Sequence, residues 1–356
     1  MTVQIVKKAA VSRRRQTAYR VFAVLAALAA TGLVMALAGY NPFVVYYKMI
    51  EGSTMTAYRF QETIHKAIPL ITLSLGVAVA FKMKFWNIGG EGQFYLGAFG
   101  AALVAFQAPE LPMWAMLPAM MLAGMLLGGL WALIPALLKA KFGASETLVT
   151  LMLNYIAIKW VTYLQYGPWK DPKASGFPKM PKFADAAVLP KVFGVHAGWI
   201  ITLAAVVLVW ILFSRSKLGY EIAVLGESEA TARYAGMNTV RTMLIAVLLS
   251  GGLCGLAGMM QASAVERSLS DVLSGGMGFT AIITAWLARL NPLAIVGVCF
   301  FFAILLQGGS YLQTSMQIPS SVAAVIQGVV LFFVLASEFF IQYRIQISRG
   351  EKKEVA

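Results

Sequence analysis

The chain has 356 residues, of which 59% are hydrophobic and only 12% charged, and it carries a net charge of +14. Ordinary soluble domains are about 25% charged, and the mean hydropathy here is +0.74, which excludes a soluble enzyme and reads as a polytopic membrane protein. The basic excess is of the kind that Lys and Arg in cytoplasmic loops produce, so it does not point to nucleic acid.

Apolar runs such as VFAVLAALAATGLVMALAG do not alternate every second residue, which excludes a membrane barrel in favour of helices. A basic tail, residues 1–19, carries Lys7, Lys8, Arg13, Arg14 and Arg15 and precedes the first span. Its apolar run is too long for a signal peptide's hydrophobic core. Ten membrane segments are predicted, over 20–39, 67–81, 93–107, 113–138, 147–165, 198–213, 242–261, 278–289, 292–309 and 320–341. The second, third and eighth are short and glycine-interrupted, a form tolerated at membrane depth only where protein or a water-filled path satisfies the backbone. This makes the fold all-α, with one transmembrane domain over 20–341 and a second tail over 342–356.

With both termini inside, 19 Lys and Arg fall on cytoplasmic segments and nine on outer ones, leaving Lys159 within a span. That asymmetry predicts cytoplasmic termini and an even number of spans. The long outer loop, 166–197, is rich in Pro, Lys and aromatics. It is either a packed cap over the bundle or a contact for an extracytoplasmic partner.

Three polar islands interrupt the apolar chain. The first, Asn87–Gln93, has Gly89, Gly90 and Gly92 around Glu91. Asn87 capping the next helix and Glu91 favouring its positive N-terminus is one reading; a role in the path is the other, because polar residues at membrane depth are functional candidates. The second runs from Phe142 to Tyr155. Ser145 is placed to cap the fifth span, Glu146 lies in its first turn, and Asn154 lies deeper, as interhelical glue or as a solute contact. The third is the cytoplasmic loop 214–241, where Ser228 is placed to cap a two-turn helix, with Glu229 in its first turn, Arg233 in its last and Gly236 as the stop. Gln261, Glu266, Arg267 and Asp271 lie at or after the outer end of the seventh span, open to an outer partner or to pairing in solvent. Gln307 and Gln327 are polar positions within apolar helices.

Cys254 and Cys299 sit in apolar spans as packing residues. His65 and His196 form no His/Cys cluster, so no metal centre is expected. Paired carboxylates and a nucleophile elbow are missing, which argues against an enzyme. The phosphate-cradling GxxxxGK[ST] loop does not occur, so if transport is ATP-driven, another chain carries the nucleotide. An ion-coupled secondary transporter is the rival of a different class, but it needs buried charges within spans, and only Lys159 stands there.

Asn87–Gln93 (NIGGEGQ), Thr147–Tyr155 (TLVTLMLNY), Gly167–Pro172 (GPWKDP), Ala230–Asn238 (ATARYAGMN), Gly276–Thr280 (GMGFT) and Arg289–Pro292 (RLNP) together resemble the permease subunits of type II ABC importers, in the ribose and branched-chain-amino-acid permease superfamily. Nucleoside and simple-sugar importers are most similar. The resemblance implies a permease without a bound cofactor, with ATP and Mg on a separate ATPase. It further implies a second, different permease subunit, an extracytoplasmic binding protein or lipoprotein, and a location in the bacterial inner membrane. Purine nucleosides are the implied solutes, with simple sugars such as ribose, or branched-chain amino acids, as alternatives. Coupling to the ATPase is implied for Gly226, Glu227, Ser228, Glu229, Ala232, Arg233, Tyr234, Gly236 and Asn238. Gating or path roles are implied for Asn87, Gly89, Gly90, Glu91, Gln93, Ser145, Glu146 and Asn154.

Overall fold

The computed structural model describes residues 2–7, 13–174, 176–319 and 343–348, with scattered positions between 321 and 337. Gln327, much of the tenth predicted span and residues 349–356 lie outside the described residues. The described chain is mostly helical and forms two compact units, one from residues 1–59 and 304–356, the other from 60–303. Its helices are α1 (Arg13–Leu37), α2 (Pro42–Thr54), α3 (Ala57–Lys82), α4 (Gly90–Gln107), α5 (Met113–Phe142), α6 (Glu146–Tyr166), α7 (Gly198–Arg215), α8 (Lys217–Glu227), α9 (Glu229–Tyr234), α10 (Thr239–Met260), α11 (Met277–Leu287) and α12 (Pro292–Met316).

Among the described residues, six helices are long and apolar enough to cross a membrane, or seven if the bent pair α1–α2 is one span. The second predicted span is neither short nor broken: α3 runs 26 residues through its internal Pro69. Glu62, His65 and Lys66 dilute the apolar signal of its first half without interrupting the helix. The third and eighth predicted spans are short, at 18 residues for α4 and 11 for α11.

In the smaller unit, Asn41 caps α2 by accepting from the Phe43 amide, and Pro42 supplies the fixed φ of a first helical position. The chain turns by 116° between α1 and α2. The Tyr46 hydroxyl, 2.6 Å from Thr31 Oγ1, also donates to the Leu28 carbonyl at 2.6 Å. Glu51 gathers Lys48 at 2.7 Å, Arg59 at 3.2 Å and the Tyr311 hydroxyl at 3.1 Å. At the termini, β1 (Thr2–Lys7) pairs antiparallel with β4 (Tyr343–Ser348), Thr2 opposite Ser348 and Lys7 opposite Tyr343.

The larger unit is built on α4, α5 and α10. Apolar helices gain little from burial against one another in lipid, so they associate where small residues let backbones touch. A Cβ on Gly97 would overlap the Gly255 backbone, and one on Gly255 would overlap the Gly124 carbonyl. Gly128 and Gly251 face each other in the same way. The spacing is Gly-xxx-Gly on both α5 (Gly124, Gly128) and α10 (Gly251, Gly255). Cys254 is fully buried against α3, and Cys299 contacts Ser74 Oγ at 3.2 Å, as small packing residues do.

Loop 166–197 is packed down. Phe183 donates to the Arg267 carbonyl at 2.8 Å. Ser263, in the π-helical turn Gln261–Glu266 that extends α10, donates to the Ala187 carbonyl and accepts from the Leu189 amide. Trp169 stacks on Phe99 at 5.4 Å. A small hairpin of β2 (Lys191–Val192) and β3 (Val195–His196) closes the loop and buries His196 with both ring nitrogens unpartnered. Of the residues at or after the outer end of the seventh predicted span, Gln261 is buried and Arg267 is held to this loop; the Asp271 amide donates to Gln165 of α6.

Replacing Gly255 by Ala puts a methyl group into the Gly124 carbonyl and lowers stability by about 1–3 kcal/mol, the usual overpacking cost, read as a lower melting temperature in detergent. Burial, and then the neighbouring His65 ring, push the His196 imidazole down to about 4 from its ordinary value near 6.5. The unfolded chain therefore takes up a proton that the folded chain refuses over this window. Stability is full above about pH 6.5 and falls towards pH 4, and the His196→Phe variant shows a shallower slope in melting temperature across that range.

Candidate functional site

The polar side chains of the α3–α4 junction are buried and hydrogen-bonded. Asn87 and Gln93, both buried, exchange two amide hydrogen bonds of 3.0 and 2.8 Å. Asn87 also donates to Ser250 Oγ of α10 at 3.1 Å, and Ser250 donates to the Gly76 carbonyl of α3 at 2.7 Å. The helix-capping reading of Asn87 is corrected here. Gly89 occupies the cap of α4 with no side-chain cap bond, while Asn87 Oδ1 accepts the Gly89 amide from two residues back, the turn geometry that short amide side chains favour. A Cβ at Gly89 would run into the Asn87 and Gln93 side chains, so the amide pair needs glycine there.

Asn154 of α6 closes the same helix end. Its Oδ1 accepts the Gly92 amide at 2.8 Å and its Nδ2 donates to the Ile88 carbonyl at 2.9 Å. One orphan donor of α4 is thereby satisfied from a neighbouring helix.

Glu91 turns outward from its own helix and serves another. Its carboxylate accepts from the Ser274 hydroxyl and from the Gly278 amide, the latter at 2.7 Å, so it sits at the positive N-terminus of α11. A Cβ on Gly278 would overlap the Glu91 backbone and carboxylate, and Gly276, at φ 82°, occupies the left-handed region just before the helix. In the sequence Glu91 was connected with its own helix start or with the path, not with the start of α11. The strings at 87–93 and 276–280 meet in space, which sequence order alone did not show.

At the α5–α6 connection, Gly143 (φ 64°) ends α5. Ser145 takes the cap position of α6 but makes no side-chain cap bond, a second correction. Glu146 is engaged instead, with Lys139 at 2.6 Å and the Trp86 amide at 3.5 Å. Lys139 also lies 5.3 Å over the Phe85 ring. Glu146 thus ties the α5–α6 loop to the α3–α4 loop.

The loop after α7 holds two helices where one was expected. Ser216 caps α8 by accepting from Gly219 at 2.9 Å, and Gly226 packs its backbone against Lys82. Ser228 caps α9 by accepting from Thr231 at 3.2 Å. Glu229 pairs with Arg233 at 2.6 Å on an exposed face, Gly236 (φ 73°) ends the helix, and Asn238 caps α10 through the Arg241 amide. Ala232 is the buried residue of α9; Glu227 and Tyr234 are exposed. The feature missed in the sequence is α8, whose start signal is Ser216 three residues before Gly219.

These three regions border one cavity of about 610 Å³. Lys84 enters it from the α3–α4 loop, Lys139, Ser145 and Glu146 from the α5–α6 connection, and Glu229 and Arg233 from α9. The three regions thus line a single space. Among the described residues, no group of three or more His, Cys, Asp or Glu could hold a metal ion.

Asn154→Leu keeps the volume but strands the Gly92 amide and the Ile88 carbonyl. Leaving buried polar groups unpaired costs about 1–3 kcal/mol, so the melting temperature in detergent falls, whereas Leu148→Ala on the exposed face of the same helix leaves it within error.

Residues 60–335 match the family model described as the permease component of branched-chain amino acid transport systems. The chain is 34% identical to the glucose ABC transporter permease of Haloferax volcanii, over 92% of this chain and 89% of that one. It is 30% identical to the guanosine ABC transporter permease of Bacillus subtilis, over 93% and 95%, and 28% identical to the nucleoside ABC transporter permease of Lactococcus lactis, over 91% and 92%. Its fold is similar to that of a putative metal-chelate type ABC transporter solved facing inward, with a TM-score of 0.50 and 15% identity over 83% of this chain and 96% of that one. These relatives are transport components whose ATPase is a separate subunit. A glycine-packed helical core and cavity-lining loops thus occur in a chain that belongs to the permease family of ABC importers.

Proposed function

We propose that this chain forms part of the translocation path of an ATP-driven importer of nucleosides, purine nucleosides foremost, and works by alternating access. The observation that carries this reading is the single cavity bordered by α9 and by the α3–α4 and α5–α6 loops. In it the segment from Gly226 to Asn238, which contains α9, is the coupling segment that rides on a cytoplasmic ATPase, where ATP and Mg are bound. Closure of the ATPases displaces α9, and the α3–α4 and α5–α6 loops with the helix starts that follow them, holding Asn87, Gly89, Gly90, Glu91, Gln93, Ser145, Glu146 and Asn154, act as the cytoplasmic gate. A two-state, rigid-body movement is the expected form of such a transition. A second permease completes the path, and an extracytoplasmic binding protein or lipoprotein delivers the solute.

Cytoplasmic termini and ten spans in the inner membrane are part of this reading. The Lys and Arg asymmetry supports the orientation, and so does the pairing of β1 with β4, since paired strands must lie on one side. Nucleosides are favoured by the names of the Bacillus and Lactococcus relatives. A simple-sugar solute is the second reading, favoured by the glucose permease of Haloferax.

The test is uptake of labelled guanosine, ribose and glucose by cells with and without this chain, with the partner subunits present in both. ATP-dependent guanosine uptake that requires the chain is the expected result; loss of sugar uptake alone assigns it to the second reading. Arg233→Glu, which breaks the pair with Glu229 on the exposed face of α9, lowers uptake at least tenfold while the chain still inserts; normal transport by that variant removes α9 from the coupling role.

A further inference from the structure

The helix α6 has two unlike faces. Thr150, Asn154, Ala157, Val161, Leu164 and Gln165 are buried. On the opposite side Tyr155, Lys159, Tyr163 and Tyr166 are exposed, and at 3.6 residues per turn they fall within a sector of about 80°. Only 28% of the most apolar window of α6 is buried. The stripe opens onto a shallow depression lined by Tyr155, Ile156, Lys159, Trp160 and Tyr163. Trp160 is braced there by Phe99 and Tyr163, each 5.9 Å away between ring centres.

This face is unsuited to lipid. Lys159 lies within α6, seven residues from its end at Tyr166 and so about 10 Å inside the helix, and a charge within a span normally faces a bundle interior or a water-filled cavity. No hydrogen bond is made within the described chain by the Tyr155 or Tyr163 hydroxyls or the Lys159 ammonium. Polar groups without partners are costly in hydrocarbon. Tyrosine rings offer flat π-faces on which any planar ring stacks, and an ammonium is a strong donor to carbonyl and ring-nitrogen acceptors. Flat faces beside a cation match a nucleobase, which is planar and edged with acceptors. They match a hexose less well, because its ring is puckered and has no π-face to stack.

We infer that the Tyr155–Lys159–Tyr163 face of α6 lines the water-filled path and forms a stacking ladder for the base of a passing nucleoside, with Lys159 donating to its acceptor edge. The inference rests on the nucleoside-importer reading above. The ladder spans about 12 Å from Tyr155 to Tyr163, so a base is handed along it rather than held. Guanine presents two adjacent acceptors, O6 and N7, whereas adenine replaces O6 by an amino donor, so Lys159 favours guanosine over adenosine.

The test has two readouts on the complete importer in proteoliposomes. In the first, Lys159→Cys is exposed to a charged, water-soluble maleimide. The native Cys254 and Cys299 are fully buried and supply little background. Labelling that guanosine slows is expected; no labelling places the face in lipid and overturns the inference. In the second, Lys159→Met lowers ATP-driven guanosine uptake about tenfold, the scale of one charge-assisted hydrogen bond, and lowers adenosine uptake less. Tyr155→Ala and Tyr163→Ala slow both nucleosides. Leu208→Ala, on the exposed face of α7, serves as the unaffected control. Unchanged guanosine uptake in Lys159→Met overturns the ladder while leaving the importer reading intact. Loss of the second permease from the purified complex overturns it too, by making the face a subunit interface. A wild-type importer that carries no nucleoside at all defeats the importer reading, and the ladder's nucleobase with it.

Discussion

Backbone contact between α4, α5 and α10 at Gly97, Gly124 and Gly255 is the constraint on which the larger unit depends. Within a membrane, no hydrophobic driving force draws apolar helices together, so van der Waals contact and a few buried hydrogen bonds must suffice. Glycine lets the helix axes approach until backbone meets backbone, and that approach brings Ser250 and Gln93 within bonding distance of Asn87. The amide pair, the α4 cap from Asn154 and the Glu91 anchor on α11 all hang from the position of α4. Each also satisfies a backbone or side-chain group that would otherwise be stranded in a dry interior.

Local signals were legible in the sequence, and contacts between distant segments were not. Ser228, Glu229, Arg233 and Gly236 announced α9 because a helix end is written in consecutive residues: a cap oxygen, an i,i+4 ion pair and a left-handed stop. Runs of apolar residues announced the long helices α5, α7, α10 and α12. The start of α3 was hidden because hydropathy averages over polar residues such as Glu62 and Lys66 and cannot tell a buried polar side chain from a loop. The Gly-xxx-Gly pairs of α5 and α10 were present in the sequence, but they specify a contact only once the partner helix is known.

The polar islands illustrate the same boundary. Their residue types marked them as special, yet a capping role for Asn87 or Ser145 presumes that the nearest helix end is the one served. Asn87 instead pairs with Gln93, Asn154 reaches α4 from α6, and Glu91 serves α11 across 187 residues of chain. Long-range hydrogen bonds of this kind depend on helix order in space, which local chemistry does not encode.

The two links at the junction of the α3–α4 loop differ in kind. Asn87 and Gln93 are neutral and fully buried, so their bond is indifferent to dissolved ions. Lys139 and Glu146 form an ion pair with Lys139 partly open to solvent, and exposed ion pairs weaken as salt shortens the screening length. Ionic strength on that side of the membrane thus acts on one link and spares the other. A rise in salt there loosens the tie between the two loops without disturbing the helix end they adjoin.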